Sequence, residues 1–430
     1  MITAVLIGAG MRGNIYATEM KKMGDKYKIV AVADKVESRR NCIKNMYDIP
    51  SEYCYATWED ILSQPKMADI AIIATMDDMH YEPAMKAIEL GYNLLLEKPV
   101  AQTAQECVDI ALAAERKGVK ILVCHVLRYT DFFGKIKKII MDGTIGDIMS
   151  IIQVEGVGNL HYSHSYLRGN WHSESESAPM LLAKCCHDID IIQWLFDKSC
   201  KKVQSFGELT YFKADNAPEG SPVRCAGNYC PVRESCPYDC IKYYVEEKEH
   251  ELGRYACAGK ISKTDIPTDE EVLTALKTTD YGLCVFHANN DVVDHQTVNM
   301  IFEGGGTANL IMNAFNEEGR YIRIFGTKGE LYARMADTEI TVYIFEGMQK
   351  KKVSVSETVE SIVGGHGGGD AGIVKELYEY MTGNYNSYRA ANIDISVKNH
   401  LIGFAAEKGR NSDTVESVDA FFESYGIKNN

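Results

Sequence analysis

The chain has 430 residues, 46% of them hydrophobic and 25% charged, with a formal net charge of −14. It is too long for one ordinary domain of roughly 100–200 residues and long enough for two cores, and its composition is globular rather than disordered, fibrous or membrane-like. The acidic balance argues against a nucleic-acid surface, which needs clustered Lys and Arg, and no apolar run approaches the ~20 residues of a bilayer span.

Thr3 to Ile7 opens the chain as an apolar run with no leader pattern ahead of it, so a cytoplasmic chain with a small-molecule partner is expected. From there to about residue 125 one theme repeats: a short apolar run, a polar turn, then a segment with helical spacing. The runs are Ala4 to Ile7, Ile29 to Ala33, Ile70 to Ala74, Asn93 to Leu96 and Ile121 to Cys124. Helices are predicted near Ile15 to Met23, Tyr81 to Leu90 and Ala104 to Arg116. Continuous apolar runs mean strands covered on both faces, so residues 1–125 read as a doubly wound parallel α/β sheet.

Past about residue 147 the strands lengthen and alternate: Ile148 to Val154, Val298 to Phe302, Thr307 to Ala314, Tyr321 to Phe325 and Glu339 to Ile344. Glycine turns such as Gly304-Gly305-Gly306 favour antiparallel pairing. Residues 126–430 therefore read as an α+β domain on a large, mostly antiparallel sheet, with helices over Met180 to Phe196, Ala371 to Met381 and Val397 to Gly409. Residues 215–270, rich in Cys, Pro, Glu and Lys, resemble an insertion.

Gly8-Ala9-Gly10-Met11-Arg12-Gly13 lies between the first strand and the first helix. There Gly8 permits a tight turn, Gly10 lets backbone approach a pyrophosphate, Gly13 lets helix and strand pack, and the helix N-terminus offers N–H groups to phosphate. Asp34 ends the second strand about 20 residues on, placed to accept the ribose hydroxyls of NAD; Lys35 beside it keeps NADP open. Glu97-Lys98-Pro99 ends a strand on the same sheet edge, where open α/β folds bind ligands, and Pro99 biases Lys98 away from helix.

The 13 cysteines are mostly scattered in apolar segments, as in a reducing compartment. Cys225, Cys230, Cys236 and Cys240 stand together in the insertion, where four thiolates could hold a structural zinc or an iron–sulfur cluster; reduced, unliganded thiols are the alternative.

These motifs together resemble the glucose-fructose oxidoreductase and inositol dehydrogenase family, Gfo/Idh/MocA. The resemblance runs through GAGMRG, Asp34, ATMDDMHYEPAMKAIELG around His80, EKP at 97–99 and RYTDFFGKIKKIIMDGTIGDI from Arg128. It continues through HSYLRGNW at 164–171, CCHDIDIIQWL at 185–195, RIFGTKGEL at 323–331 and GGHGGGD at 364–370. It implies a Rossmann domain with Met11, Arg12, Thr75, His80, Glu97 and Lys98 around the cofactor, a substrate cleft between domains, and a homo-oligomer, dimer or tetramer, formed through the large sheet.

The resemblance also implies that Lys98 and His187 are catalytic. Oxidising a secondary alcohol requires a base for the hydroxyl proton, and histidine, with an ordinary pKa near ~6.5, suits that task. Lys98 would then orient the hydroxyl and stabilise alkoxide character. Where many relatives carry an aspartate four residues before that histidine, this chain has Ala183, followed by Lys184, which at i, i+3 from His187 could share its face. His164, Tyr166, Arg168, Asn170 and Trp171, with His125 and Arg128, are candidate sugar-binding groups, each equally compatible with interdomain packing. The expected activity is hydride transfer between NAD and a secondary alcohol carbon of a sugar, cyclitol or glycoside. Two alternatives stand beside it: an NAD-dependent glycosidase working by transient oxidation and elimination, and a non-catalytic NAD sensor.

Overall fold

A computed structural model of the chain describes residues 1–246, 254, 257–258, 267–317, 319–355, 366–384 and 388–429. Two sheets organise it. The first is built from β1 (Ile2–Ile7), β2 (Tyr27–Ala33), β3 (Cys54–Tyr55), β4 (Ile70–Ile73), β5 (Asn93–Leu96) and β6 (Ile121–Val123) in the order β3-β2-β1-β4-β5-β6, every pair parallel. All four residues of β4 are buried, because helices cover both faces of a parallel sheet. The order reverses direction at β1, so the loops after β1 and β4 flank the switch point where such sheets take ligands. Helix Ala104–Lys117 starts with a reciprocal Thr103–Glu106 capping box and stops at Gly118 in the left-handed region, which satisfies the end groups that would otherwise fray.

The second sheet has nine strands: β7 (Ile148–Gly156), β8 (Cys200–Glu208), β9 (His295–Phe302), β10 (Thr307–Asn313), β11 (Gly319–Gly326), β12 (Gly329–Arg334), β13 (Glu339–Ile344), β14 (Gln349–Ser354) and β15 (Glu416–Ser417). Their order is β14-β13-β12-β11-β7-β10-β9-β8-β15, antiparallel except where β7 and β10 run together. Alternation sets the inner face: Gln296, Val298, Met300 and Phe302 of β9 are buried while the residues between them face out. Helices Cys186–Phe196 and Ile393–Ser412 lie against that inner face.

The expected helix over Met180 to Phe196 is two helices, Met180–Ala183 and Cys186–Phe196, with a turn at Lys184 and Cys185. The Ala183 carbonyl, which a continuous helix would use internally, instead accepts a hydrogen bond from the Lys98 ammonium at 2.8 Å. The chain also returns to its beginning. Helix Gly369–Thr382 packs Ile373, Val374 and Leu377 against Tyr16 and Met20, and Ala391 accepts the Val123 N–H at the open edge of β6.

Candidate active site

The glycine loop assigns its three glycines different tasks. Gly8, at φ +88°, and Gly13 both lie where a Cβ would strike backbone: 2.5 Å from the Ala74 oxygen and 2.0 Å from the Gly8 oxygen. At Gly10 a Cβ would meet only the end of Arg39, at 3.9 Å. The space over Gly10 is thus left open at the N-terminus of helix Met11–Lys22, which is what a pyrophosphate needs. Asp34 ties the loop down, its two oxygens accepting the Ala9 and Val36 N–H groups, each at 2.8 Å. Carboxylate oxygens have lone pairs to spare for ribose hydroxyls. The residues fit a dinucleotide.

Arg12 is turned away from that space. It donates to Glu97 at 2.7 Å and to Asp370 at 2.6 Å, and Tyr16 joins the same group. Burial alone would raise the Glu97 carboxyl, but Arg12, Lys98 and the Tyr16 hydroxyl outweigh it and hold the group below the usual carboxylate range. Arg12 and Glu97 therefore neutralise one another and position the strand tip that carries Lys98. Met11 is exposed beside the loop. His80 is clamped between the carbonyls of Pro99, at 2.6 Å, and Thr75, at 3.3 Å, while the Thr75 hydroxyl donates to Met79. With both its ring nitrogens on backbone, His80 braces the Glu97-Lys98-Pro99 tip.

Lys98, from the first domain, reaches Ala183 of the second, just before the turn at Lys184 and Cys185 that precedes His187. His187 is buried, its ring edge-on to His125 at 5.8 Å; His125 in turn stands 5.5 Å from His400. Burial and the neighbouring His125 push His400 down to about 3, so it stays neutral, donating from Nδ1 to Ser396 and accepting the Val100 N–H at Nε2. Burial likewise lowers His125, against the pull of Asp190. Because the helix breaks at Lys184, the expected shared face with His187 does not form. The Lys184 ammonium instead lies 3.4 Å from Glu155, within an ion network that continues through Arg320 to Asp188.

The candidate sugar-binding group divides. Asn170 and Trp171 touch the first domain, Asn170 at Met76 and Trp171 donating its indole N–H to Asp77 at 2.9 Å; Tyr166 packs between Tyr162 and Trp171. His164 faces the other way, bonded to Tyr244 at 2.7 Å and stacked on Tyr281, and Arg168 donates to the carbonyls of Leu283 and Tyr238. Both anchor the segments around residues 238–244 and 281–283. Arg128 is held beneath the surface by Asp190, in two bonds of 2.6 and 2.7 Å, and by the Ala390 carbonyl at 3.4 Å. Sequence reading passed over Asp77, although a carboxylate just past β4, on the same edge as the glycine loop, was the available signal.

The four-cysteine metal site has no support in the structure: among the described residues no group of three or more His, Cys, Asp or Glu is arranged to hold a metal ion. Neighbouring Cys240 and Cys284, the latter outside the expected set, lower the Cys225 thiol from its ordinary value. The antiparallel bridge between Arg224 and Leu283 draws those two segments together, which the spacing of the other thiols does not reveal.

A six-stranded parallel sheet with a dinucleotide loop, joined to a nine-stranded, mostly antiparallel sheet, is the architecture of an NAD-binding oxidoreductase. Residues 2–125 match the family model described as an oxidoreductase family, NAD-binding Rossmann fold, and residues 137–424 match its C-terminal alpha/beta domain. The chain belongs to the Gfo/Idh/MocA oxidoreductase family. It is 24% identical over 383 residues to YteT of Bacillus subtilis, named as an oxidoreductase, with 84% of each chain covered. It is 23% identical over 218 residues to the inositol 2-dehydrogenase/D-chiro-inositol 3-dehydrogenase of Lactiplantibacillus plantarum, covering 50% of this chain and 59% of that one. Among solved structures, levoglucosan dehydrogenase with NADH and levoglucosan superposes with a TM-score of 0.69 at 16% identity, over 97% of this chain and 99% of the other. Among the described residues no helix is long and apolar enough to cross a membrane.

Proposed function

We propose that the chain transfers a hydride between NAD and a secondary alcohol carbon of a sugar, cyclitol or glycoside. The observation that carries this reading is the contact of Lys98 with Ala183, which draws the strand-tip amine of one domain onto the turn that precedes His187 in the other. The nicotinamide supplies the site that gives or takes the hydride. His187 removes the hydroxyl proton as the carbonyl forms. Lys98 spends one of its three donors on Ala183 and offers another to the substrate oxygen, favouring its alkoxide character. Asn170 and Trp171 form the wall for the remaining hydroxyls and ring face. The exposed Phe206, Ile301, Tyr321 and Tyr332 on the outer face of the second sheet support pairing with a second copy, and the free cysteines support a reducing, cytoplasmic setting.

The test is a polyol and glycoside screen with added NAD, read at the nicotinamide band, on the wild type and on Lys98→Met and His187→Ala. Turnover falling by about two to four orders of magnitude in each variant is expected; full activity in both on a confirmed substrate overturns the assignment. A second reading has one specific support, a 27% identity over 207 residues with the 2,7-anhydro-N-acetylneuraminate hydratase of Escherichia coli, covering 48% of this chain and 53% of that one. On that reading the same residues serve a transient oxidation within a cleavage or hydration, and product forms without net NADH.

A further inference from the structure

Asp77 opens the single turn Asp77–Met79 after β4, and only 5% of it is exposed, whereas its neighbour Asp78 lies at the surface. One oxygen, Oδ2, accepts the Trp171 indole N–H at 2.9 Å across the domain junction. The other oxygen accepts no hydrogen bond from the described residues. Lys98 is near enough to stabilise the charged form, yet it makes no ion pair with Asp77, its amine lying on Ala183 instead.

A carboxylate is a costly choice for bracing an indole. The N–H of Trp171 would be satisfied by a neutral amide or a carbonyl, and a charged group kept in so buried a place without a direct counter-charge is unfavourable. Burial does push the Asp77 carboxyl up from its ordinary value, against Lys98, His80 and the Trp171 bond. A missing donor on Oδ1, beside an ammonium it does not touch, is explained when a ligand hydroxyl completes the set.

We propose that Asp77 is a specificity-determining residue that accepts the hydroxyl next to the reacting carbon, so that a vicinal diol is the substrate element this site requires. The inference rests on the function proposed above. On that arrangement, one hydroxyl meets Lys98 and His187 while its neighbour donates to Asp77 Oδ1. Trp171 fixes the carboxylate plane, and the pair of charges reads two adjacent oxygens at once.

The experiment compares the wild type with Asp77→Asn on myo-inositol, levoglucosan and methyl glucopyranosides, each beside counterparts lacking one ring hydroxyl. Asparagine keeps an acceptor for Trp171, so thermal stability and NADH affinity should stay at wild-type values. Wild-type kcat/KM should be roughly 10- to 100-fold higher for the diol than for the analogue lacking the neighbouring hydroxyl, the scale of one charge-assisted hydrogen bond. Asp77→Asn should erase that ratio by slowing the diol alone. A titration of tryptophan fluorescence by the same compounds should show the same loss of discrimination. An unchanged ratio in Asp77→Asn, or an equal fall for diol and deoxy analogue, overturns the role of Asp77 while leaving Lys98 and His187 standing. A wild type that neither binds nor turns over any of these diols overturns it as well, and inactivity confined to Asp77→Asn with intact Lys98 and His187 variants overturns the function on which it rests.

Discussion

Arg128 separates two roles that a sequence cannot tell apart, and replacing it with methionine distinguishes them. In the fold its guanidinium donates to both oxygens of Asp190, at 2.6 and 2.7 Å, and Asn399 supplies a third donor at 2.6 Å. Both partners of the pair are buried. Removing the cation leaves a carboxylate in the interior with one amide donor, a loss of ~3–5 kcal/mol. Over the roughly 300 residues of the second domain, at ~2.1 cal/mol/K of unfolding entropy per residue, that lowers Tm by roughly 5–8 °C. Adding Asp190→Asn removes the stranded charge while keeping an acceptor for Asn399, so the double variant should recover at least half of the loss. Differential scanning calorimetry of the two variants is the measurement. A single variant within about 1 kcal/mol of wild type, with a reduced affinity for substrate, would return Arg128 to the cleft and refute the reasoning.

The glycine loop predicts a contrast between two alanines. Gly10→Ala should fold with an unchanged circular dichroism spectrum yet lose NADH binding by at least roughly tenfold, because its methyl group enters only the phosphate space; Gly13→Ala, driven into the Gly8 carbonyl, should instead destabilise the first domain itself. Glu97 gives a pH prediction. Its folded pKa lies below the unfolded value of about 4.3, so its contribution is complete above that value and is lost as pH falls through the lower folded one. The stability difference between wild type and Arg12→Gln should therefore be constant near neutrality and shrink below about pH 4, as acid titrations of unfolding would show. Asp34→Ala removes the acceptor of Ala9 and should weaken NADH binding while sparing NADPH more, measured by cofactor fluorescence.

Local features were legible where their cause is local. The all-buried β4 and the alternating β9 follow from side-chain periodicity, and the glycine loop follows from steric demands within a few residues. What escaped depends on distant partners. The stretch Met180 to Phe196 carries one apolar pattern, and nothing in it reveals that an amine 85 positions away takes the Ala183 carbonyl. Arg128 and Arg168 have the composition of sugar ligands, but Asp190 in one case and the carbonyls of Leu283 and Tyr238 in the other bind their guanidinium groups. The thiol spacing suggested a metal because four cysteines fall within a short segment, whereas Cys284, which lies against Cys225, is too far along the chain to be counted with them. Asp77 was hidden for the converse reason: its partner Trp171 lies 94 positions on, and without that bond it reads as an ordinary polar turn.

The closing of Arg12 by Asp370 spans 358 positions, and the edge of β6 waits for Ala391. The Arg12 pair and the β6 edge are thus completed by segments made long after the first sheet itself. A truncation that keeps only the first sheet therefore leaves Arg12 without Asp370 and the β6 edge without Ala391.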